Sequence, residues 1–230
     1  MTDLAATEQS SGTSAEQPLY ALNGWWVFSG ICFIYLFFNW WLQTEVLTDQ
    51  VYYYSLAGQI STDKLSAYLD AQHRMSFLSY LMVPVALLFK MTLVSFCLLT
   101  GLLLTAQKLP FQTLFKIALF AESAFAASTL LRLLLLTFSH NIESLAQFQT
   151  FAPLSLFSLF RASSVPDWLN YPLQTLDLFQ VAYVLLLAAG LRFFLRQPFG
   201  KSLRLVIASY GLGLLCTMIG AAFLVISSHP

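Results

Sequence analysis

Four ionisable side chains interrupt stretches of sequence that are otherwise almost wholly apolar: Lys90, Glu122, Arg132 and Asp177. A charge near the middle of a bilayer costs from about 2.5 to more than 10 kcal/mol, so such residues face protein or water and take partners. At 1.5 Å per residue, Lys90 lies about 21 Å and Glu122 about 14 Å from the neighbouring ends of their two apolar runs. Their long side chains close that difference, which predicts a pair. Arg132 and Asp177 fall within about 10 Å of the opposite ends of their runs and form a second predicted pair. The chemistry open to this set is a polar path for a proton or cation, with Glu122 as the ionisable group and Lys90 setting its acidity. The competing role is structural, as ion pairs that lock helices together or as long stems that reach the headgroups. Glu122 has no second carboxylate at i+3 or i+4. No acid/base pair is therefore carried on one helix, and no catalytic residue is predicted.

A second group is cationic. Arg192, Arg196, Lys201 and Arg204 crowd a short connection between two apolar runs, and Arg192 and Arg196, four apart, share one face of a helix end. Each cation near an anionic leaflet gains about 1 kcal/mol, which makes lipid headgroups sufficient partners for the cluster. His73, His140 and His229 stand apart from one another, and Cys32, Cys97 and Cys216 sit in separate apolar runs without CxxC or Cys/His spacing. That pattern predicts no metal, no cofactor and no disulfide framework. A P-loop, a GxSxG elbow and an HExxH are also missing from the sequence, so nucleotide binding, serine hydrolysis and zinc proteolysis lack their residue sets.

The elements that must position these residues follow from composition. Of 230 residues 58% are hydrophobic and 10% charged, with 11 Lys+Arg against 11 Asp+Glu. Soluble domains run at about 25% charged, and a chain without net positive charge offers little to the phosphates of nucleic acid. A membrane class is left. A helix needs about 20 apolar residues to cross a bilayer, and runs of about that length occur at 21–42, 77–104, 113–138, 176–194 and 203–226. Trp25 and Trp26 bracket the first run at one end and Trp40 and Trp41 at the other, as two interfacial aromatic belts require. The fold class predicted is all-α, a polytopic bundle of five transmembrane helices plus interfacial helices.

Residues 1–19 are small and polar, with acids at Asp3, Glu8 and Glu16 and no Lys or Arg, and read as a disordered cytoplasmic tail ahead of a membrane domain at 20–230. The stretch LSAYLDAQHRMSFL after Lys64 carries Leu65, Tyr68, Leu69 and Met75 at helical spacing, which predicts a surface-lying amphipathic helix. FAPLSLFSLF at 151–160 is too short to span and predicts an interfacial or re-entrant helix anchored by Trp168 and Tyr171. Small residues crowd the third run from Ala118 to Ser128 and recur in the fifth at Ser209, Gly213, Cys216 and Gly220. Such residues let helix backbones approach closely, within one chain or across a homo-oligomer. The connections near 105–112 and 195–202, with their flanks, hold Lys108, Lys116, Arg192, Arg196, Lys201 and Arg204, whereas the other side has Lys64, Arg74 and Arg161. Cytoplasmic loops keep the excess of cations, so the N-terminus is expected inside and the C-terminus outside, in a bacterial inner membrane.

The segment FAPLSLFSLF followed by LNYPLQTLDLFQVAYVLLLAAGLRFFLRQPFGKSLRLVIASYGLG resembles the bacterial branch of the Yip1 family. The resemblance covers about a third of the chain: a short Leu/Phe/Ser segment, an Asn-x-Pro start, a helix ending in Ala-Ala-Gly and a basic turn, in that order. The Asp-Leu-Tyr-Gly-Pro signature of eukaryotic members is not present, so small GTPases are not among the implied partners. What the resemblance implies is a non-enzymatic membrane protein that scaffolds or assists other membrane components. Its expected partners are membrane lipids and other membrane proteins or further copies of itself, and no nucleic acid. The alternative is a small transporter or channel subunit that uses Lys90, Glu122 and Arg132.

Overall fold

The computed structural model describes residues 23–46, 62–138, 152, 154–160 and 165–228; the predicted tail at 1–19, His140 and His229 lie outside them. Eight α-helices account for most of this chain: α1 (Gly24–Trp41), α2 (Thr62–Leu104), α3 (Phe111–Ala121), α4 (Ser123–Phe138), α5 (Asp167–Thr175), α6 (Leu178–Leu195), α7 (Phe199–Val206) and α8 (Leu212–Ser228). Five helical stretches are long and apolar enough to cross a membrane: Gly24–Glu45, Phe77–Leu104, Phe111–Phe138, Leu178–Leu195 and Phe199–Ser227. They agree with the predicted runs to within four residues at each end. The chain is an all-α integral membrane bundle, with no strand among the described residues.

Two predicted interfacial elements differ in form. Residues 62–76 are helical but continuous with the second span, giving one α2 of 43 residues. Nothing between Leu65 and Phe77 is Gly or Pro, so no residue breaks the backbone ladder. FAPLSLFSLF forms a single 3₁₀ turn at Leu156–Leu159 rather than a helix. It docks on the start of the fourth span through backbone bonds from Leu156 N–H to Leu176 O at 2.9 Å and from Leu178 N–H to Leu154 O at 3.1 Å. The helix of this region is the next element, α5, which Pro166 precedes. Its Trp168 and Tyr171 are exposed.

The core lies where the second, third, fourth and fifth spans meet. Val94, Leu98 and Leu102 from α2, Leu114, Ile117, Ala118, Ala121 and Ala124 from the third span, Tyr183, Leu187, Ala188 and Leu191 from α6, and Leu205, Val206 and Tyr210 from the fifth pack as one cluster. Ala118, Ala121 and Ala124 of the predicted small-residue stretch thus pack within this chain, the closer approach that small side chains permit, while Ala127 is exposed. The first span joins through a smaller cluster of Ile31, Cys32, Leu87, Met91, Leu119 and Ala126. Tightest of all is the crossing of α2 with the fifth span, where a Cβ on Gly101 would meet Ser209 Cβ at 2.6 Å. Gly213 meets Cys97 Sγ at 3.0 Å on the same measure, while Gly220 has no neighbour within 4 Å. Large apolar side chains on the outside, among them Trp25 and Trp26 at 77% exposure each, face away from the bundle, as lipid-facing positions of a spanning helix do.

Candidate functional site

Glu122 stands at the single residue that separates α3 from α4. The ladder runs through it, since its N–H donates to Ala118 O and its carbonyl accepts from Ala126 N–H, each at 3.0 Å. Its side chain is 1% exposed. One oxygen, Oε1, accepts from Lys90 Nζ at 2.8 Å and from the Tyr35 hydroxyl at 3.0 Å. Lys90 reaches it from α2, whose buried face runs Leu87, Met91, Val94, and Tyr35 from α1, whose buried face runs Ile31, Cys32. Three spans are therefore tied at one carboxylate oxygen. Charge-assisted bonds of this kind are about twice as strong as neutral ones.

The fourth and fifth spans close the site with aromatic rings. Lys90 Nζ sits 3.9 Å from the centre of the Phe125 ring and 5.6 Å from that of Tyr183, within the range where a ring face attracts a cation. The Tyr183 ring packs at 4.8 Å on Phe125 and at 5.4 Å on Tyr210. Gln180, one turn before Tyr183, donates from Nε2 to the Tyr210 hydroxyl at 2.9 Å. Every span thus contributes a side chain to one continuous cluster. It is not fully satisfied: Glu122 Oε2 and the Tyr183 hydroxyl are buried without a hydrogen-bond partner. It is also asymmetric, because the Lys90 side chain is 41% exposed against 1% for Glu122.

The predicted pairing of Lys90 with Glu122 is therefore a contact. Arg132 and Asp177 are brought to one cavity of about 120 Å³, which Ser128, Ala152, Ser155 and Gln174 also line. Asp177 lies one residue before the fourth span and caps α6, its carboxylate accepting from Gln180 N–H. Burial raises its carboxyl above the ordinary carboxylate range, against the backbone bonds that favour the charged form.

At the other end of the bundle the four cations of the basic turn separate into two sets. All four are exposed; Arg196 takes a left-handed backbone, φ 50° and ψ 40°, and ends α6, with Arg192 one turn before it. Lys201 and Arg204 instead line a cavity of about 360 Å³ with Thr105, Gln107, Gln197, Leu205 and Ala208. The two connections that bound it are joined by Gln107 Nε2 donating to Gln197 Oε1 at 3.0 Å, and Gln197 Nε2 donates in turn to Ser202 Oγ at 3.0 Å.

The chain matches no protein-family model, no curated protein and no solved structure. Among the described residues no three His, Cys, Asp or Glu side chains converge as a metal site requires. Sequence reasoning missed Tyr35, Gln180, Tyr183 and Tyr210, which carry no charge or periodic signal among apolar neighbours. Tyr35 and Glu122 each stand eleven residues after the start of their helix, Gly24 and Phe111, hence at one depth of about 16 Å in two spans that run the same way.

Proposed function

We propose that this chain is a non-enzymatic integral membrane protein of Yip1-like type that scaffolds or assists other membrane components through protein and lipid contacts. The observation that carries the reading is that the polar groups at mid-membrane bond to one another. Tyr35, Lys90 and Glu122 meet at one oxygen, and the cavities at the two ends of the bundle are lined by other residues. An inner-membrane setting with the N-terminus inside is supported by the cations gathered on the side of residues 105–110 and 196–198. The test is purification of the full chain from native membranes in mild detergent, with reconstitution in liposomes. A stable companion membrane protein and ion flux no higher than in empty vesicles are expected. Proton or cation flux that Glu122→Gln abolishes while the protein stays folded overturns the reading.

A second reading, a small transporter or channel subunit, is favoured by one specific observation. Glu122 Oε2 and the Tyr183 hydroxyl are buried and unpartnered, and a spare acceptor near a spare hydroxyl is what a proton relay uses. The same liposome experiment separates the two.

A further inference from the structure

The cavity at the basic end has a polarity gradient built into one helix face. Lys201, Arg204, Leu205 and Ala208 occupy positions i, i+3, i+4 and i+7 of the helix that begins at Phe199, and all four line the cavity. These spacings put them on one stripe. The stripe begins with two cations at the membrane surface and ends, about 10 Å deeper, on apolar side chains. Thr105 and Gln107 of the neighbouring connection also line the cavity, and one turn before Thr105 on α2, position 101 stands against Ser209 and Leu205. The glutamine bridge holds the two connections together.

We propose that this cavity is a binding site for an anionic phospholipid, with the phosphate-bearing headgroup between Lys201 and Arg204 and the upper acyl chain along Leu205 and Ala208. Charge complementarity selects the headgroup: among the described residues two cations line the cavity, and no Asp or Glu does. The apolar lower half selects an amphiphile over a free anion, which would satisfy the top and leave the floor empty. A volume of about 360 Å³ lies in the range of small-molecule pockets, about 300–1,000 Å³. Arg192 and Arg196 stand outside and act only as general surface charge. The proposal deepens the lipid half of the function above and rests on it, but not on the existence of a protein partner.

The test uses the full chain, delipidated in detergent, with dioleoyl phosphatidylglycerol, dioleoyl phosphatidylcholine and inorganic phosphate as probes and native mass spectrometry as the readout. Phosphatidylglycerol is expected to be retained at least tenfold better than phosphatidylcholine. Lys201→Gln with Arg204→Gln lowers its retention at least tenfold, because both charge-assisted contacts to the headgroup are lost. Arg192→Gln with Arg196→Gln removes the same charge outside the cavity and lowers retention less than threefold. Ala208→Phe fills the lower half, keeps every charge and also lowers retention. Equal losses from the two double variants would show diffuse attraction and overturn the site. Equal retention of the two lipids overturns the headgroup assignment, and displacement by millimolar phosphate with no effect of Ala208→Phe overturns the lipid in favour of a free anion. Unchanged elution on gel filtration confirms that each variant is folded. Failure to find a companion protein leaves all of these outcomes readable.

Discussion

Lys90 Nζ and Glu122 Oε1 meet at 2.8 Å across 32 residues of chain, yet the two partners are unequally buried, at 41% and 1% side-chain exposure. That inequality fixes which half of the pair is costlier to remove. Breaking a buried pair costs about 3–5 kcal/mol, because the survivor is left charged and unpaired. Without Glu122 the ammonium keeps the ring faces of Phe125 and Tyr183; without Lys90 the buried carboxylate keeps only the Tyr35 hydroxyl. Lys90→Ala is therefore expected to destabilise the protein by about 3 kcal/mol, and Glu122→Ala by less. The double variant is expected to cost less than the sum. Reversible unfolding in mixed micelles measures all three, and strict additivity counts against a coupled pair.

Two tyrosines of the same cluster have opposite expectations. The Tyr35 hydroxyl donates to Glu122 at 3.0 Å, so Tyr35→Phe is expected to cost about 1 kcal/mol, within the span measured for polar contacts inside membranes. The Tyr183 hydroxyl is buried without a partner, and replacing an unsatisfied group by an apolar isostere is neutral or stabilising. Tyr183→Phe is expected to unfold at the same temperature as the parent or higher. A Tyr183→Phe protein less stable than Tyr35→Phe would show that the hydroxyl is satisfied by something bound there.

How much of this was legible in sequence depends on the kind of signal. The five spans were, since a spanning helix needs about 20 apolar residues and little else. Lys90 with Glu122 was legible because a charge in such a run is rare enough to demand a partner. Tyr35, Gln180 and Tyr210 were not, because a Tyr or Gln among Leu and Phe carries no periodic or charge signal and becomes visible only when two helices are set in register. The division of the basic turn, with Lys201 and Arg204 lining a cavity and Arg192 and Arg196 not among its lining residues, also needed three dimensions. So did the end of α6, where Arg196 takes a left-handed conformation that Gly or Asn would have advertised and Arg does not.

Asp177 provides the expected pH dependence. Burial raises its carboxyl above the usual value, so the folded state holds that proton more tightly than the unfolded chain. By linkage this contribution is present in full below the unfolded pKa and is lost as pH rises through the higher folded one. Asp177→Asn keeps a side-chain oxygen to cap α6 and removes the titration. It is expected to match or exceed the parent in stability at neutral pH and to flatten the acid-side profile. Asp177→Ala also loses the cap, at about 1 kcal/mol. Melting temperatures of the three proteins from pH 4 to 8 decide it; an unchanged slope in Asp177→Asn means another group carries the titration.

Membrane sidedness follows from the odd number of spans. Cysteines introduced at Lys201, in the basic connection, and at Ser228, at the end of α8, are expected to be labelled from opposite sides by an impermeant maleimide. In inside-out vesicles Lys201→Cys should react, the orientation that the clustered cations favour. Labelling of both positions from one side is incompatible with five crossings.

The contact between Gly101 and Ser209 is where the fold has least room. An added Cβ at position 101 would stand 2.6 Å from Ser209 Cβ and 2.9 Å from Ser209 Oγ. Ser209 Cβ is fixed to its backbone and cannot swing aside, so accommodation must come from moving α2 against the fifth span. Overpacking of this kind costs about 1–3 kcal/mol, and Gly101→Ala is expected to fall in that range. Ser209→Gly opens the same space from the other side, so Gly101→Ala with Ser209→Gly is expected to recover most of the loss. The recovery should be incomplete, because a further glycine loosens the fifth span by roughly 0.5–1 kcal/mol and removes the bond from Ser209 Oγ to Leu205 O. Because Leu205, which lines the basic cavity, also stands 3.4 Å from a Cβ at position 101, Gly101→Ala should also weaken retention of phosphatidylglycerol, and the compensated pair should restore it. Thermal unfolding and lipid retention measured on the same samples check both halves, and a Gly101→Ala protein as stable as the parent means the two helices are not in contact there.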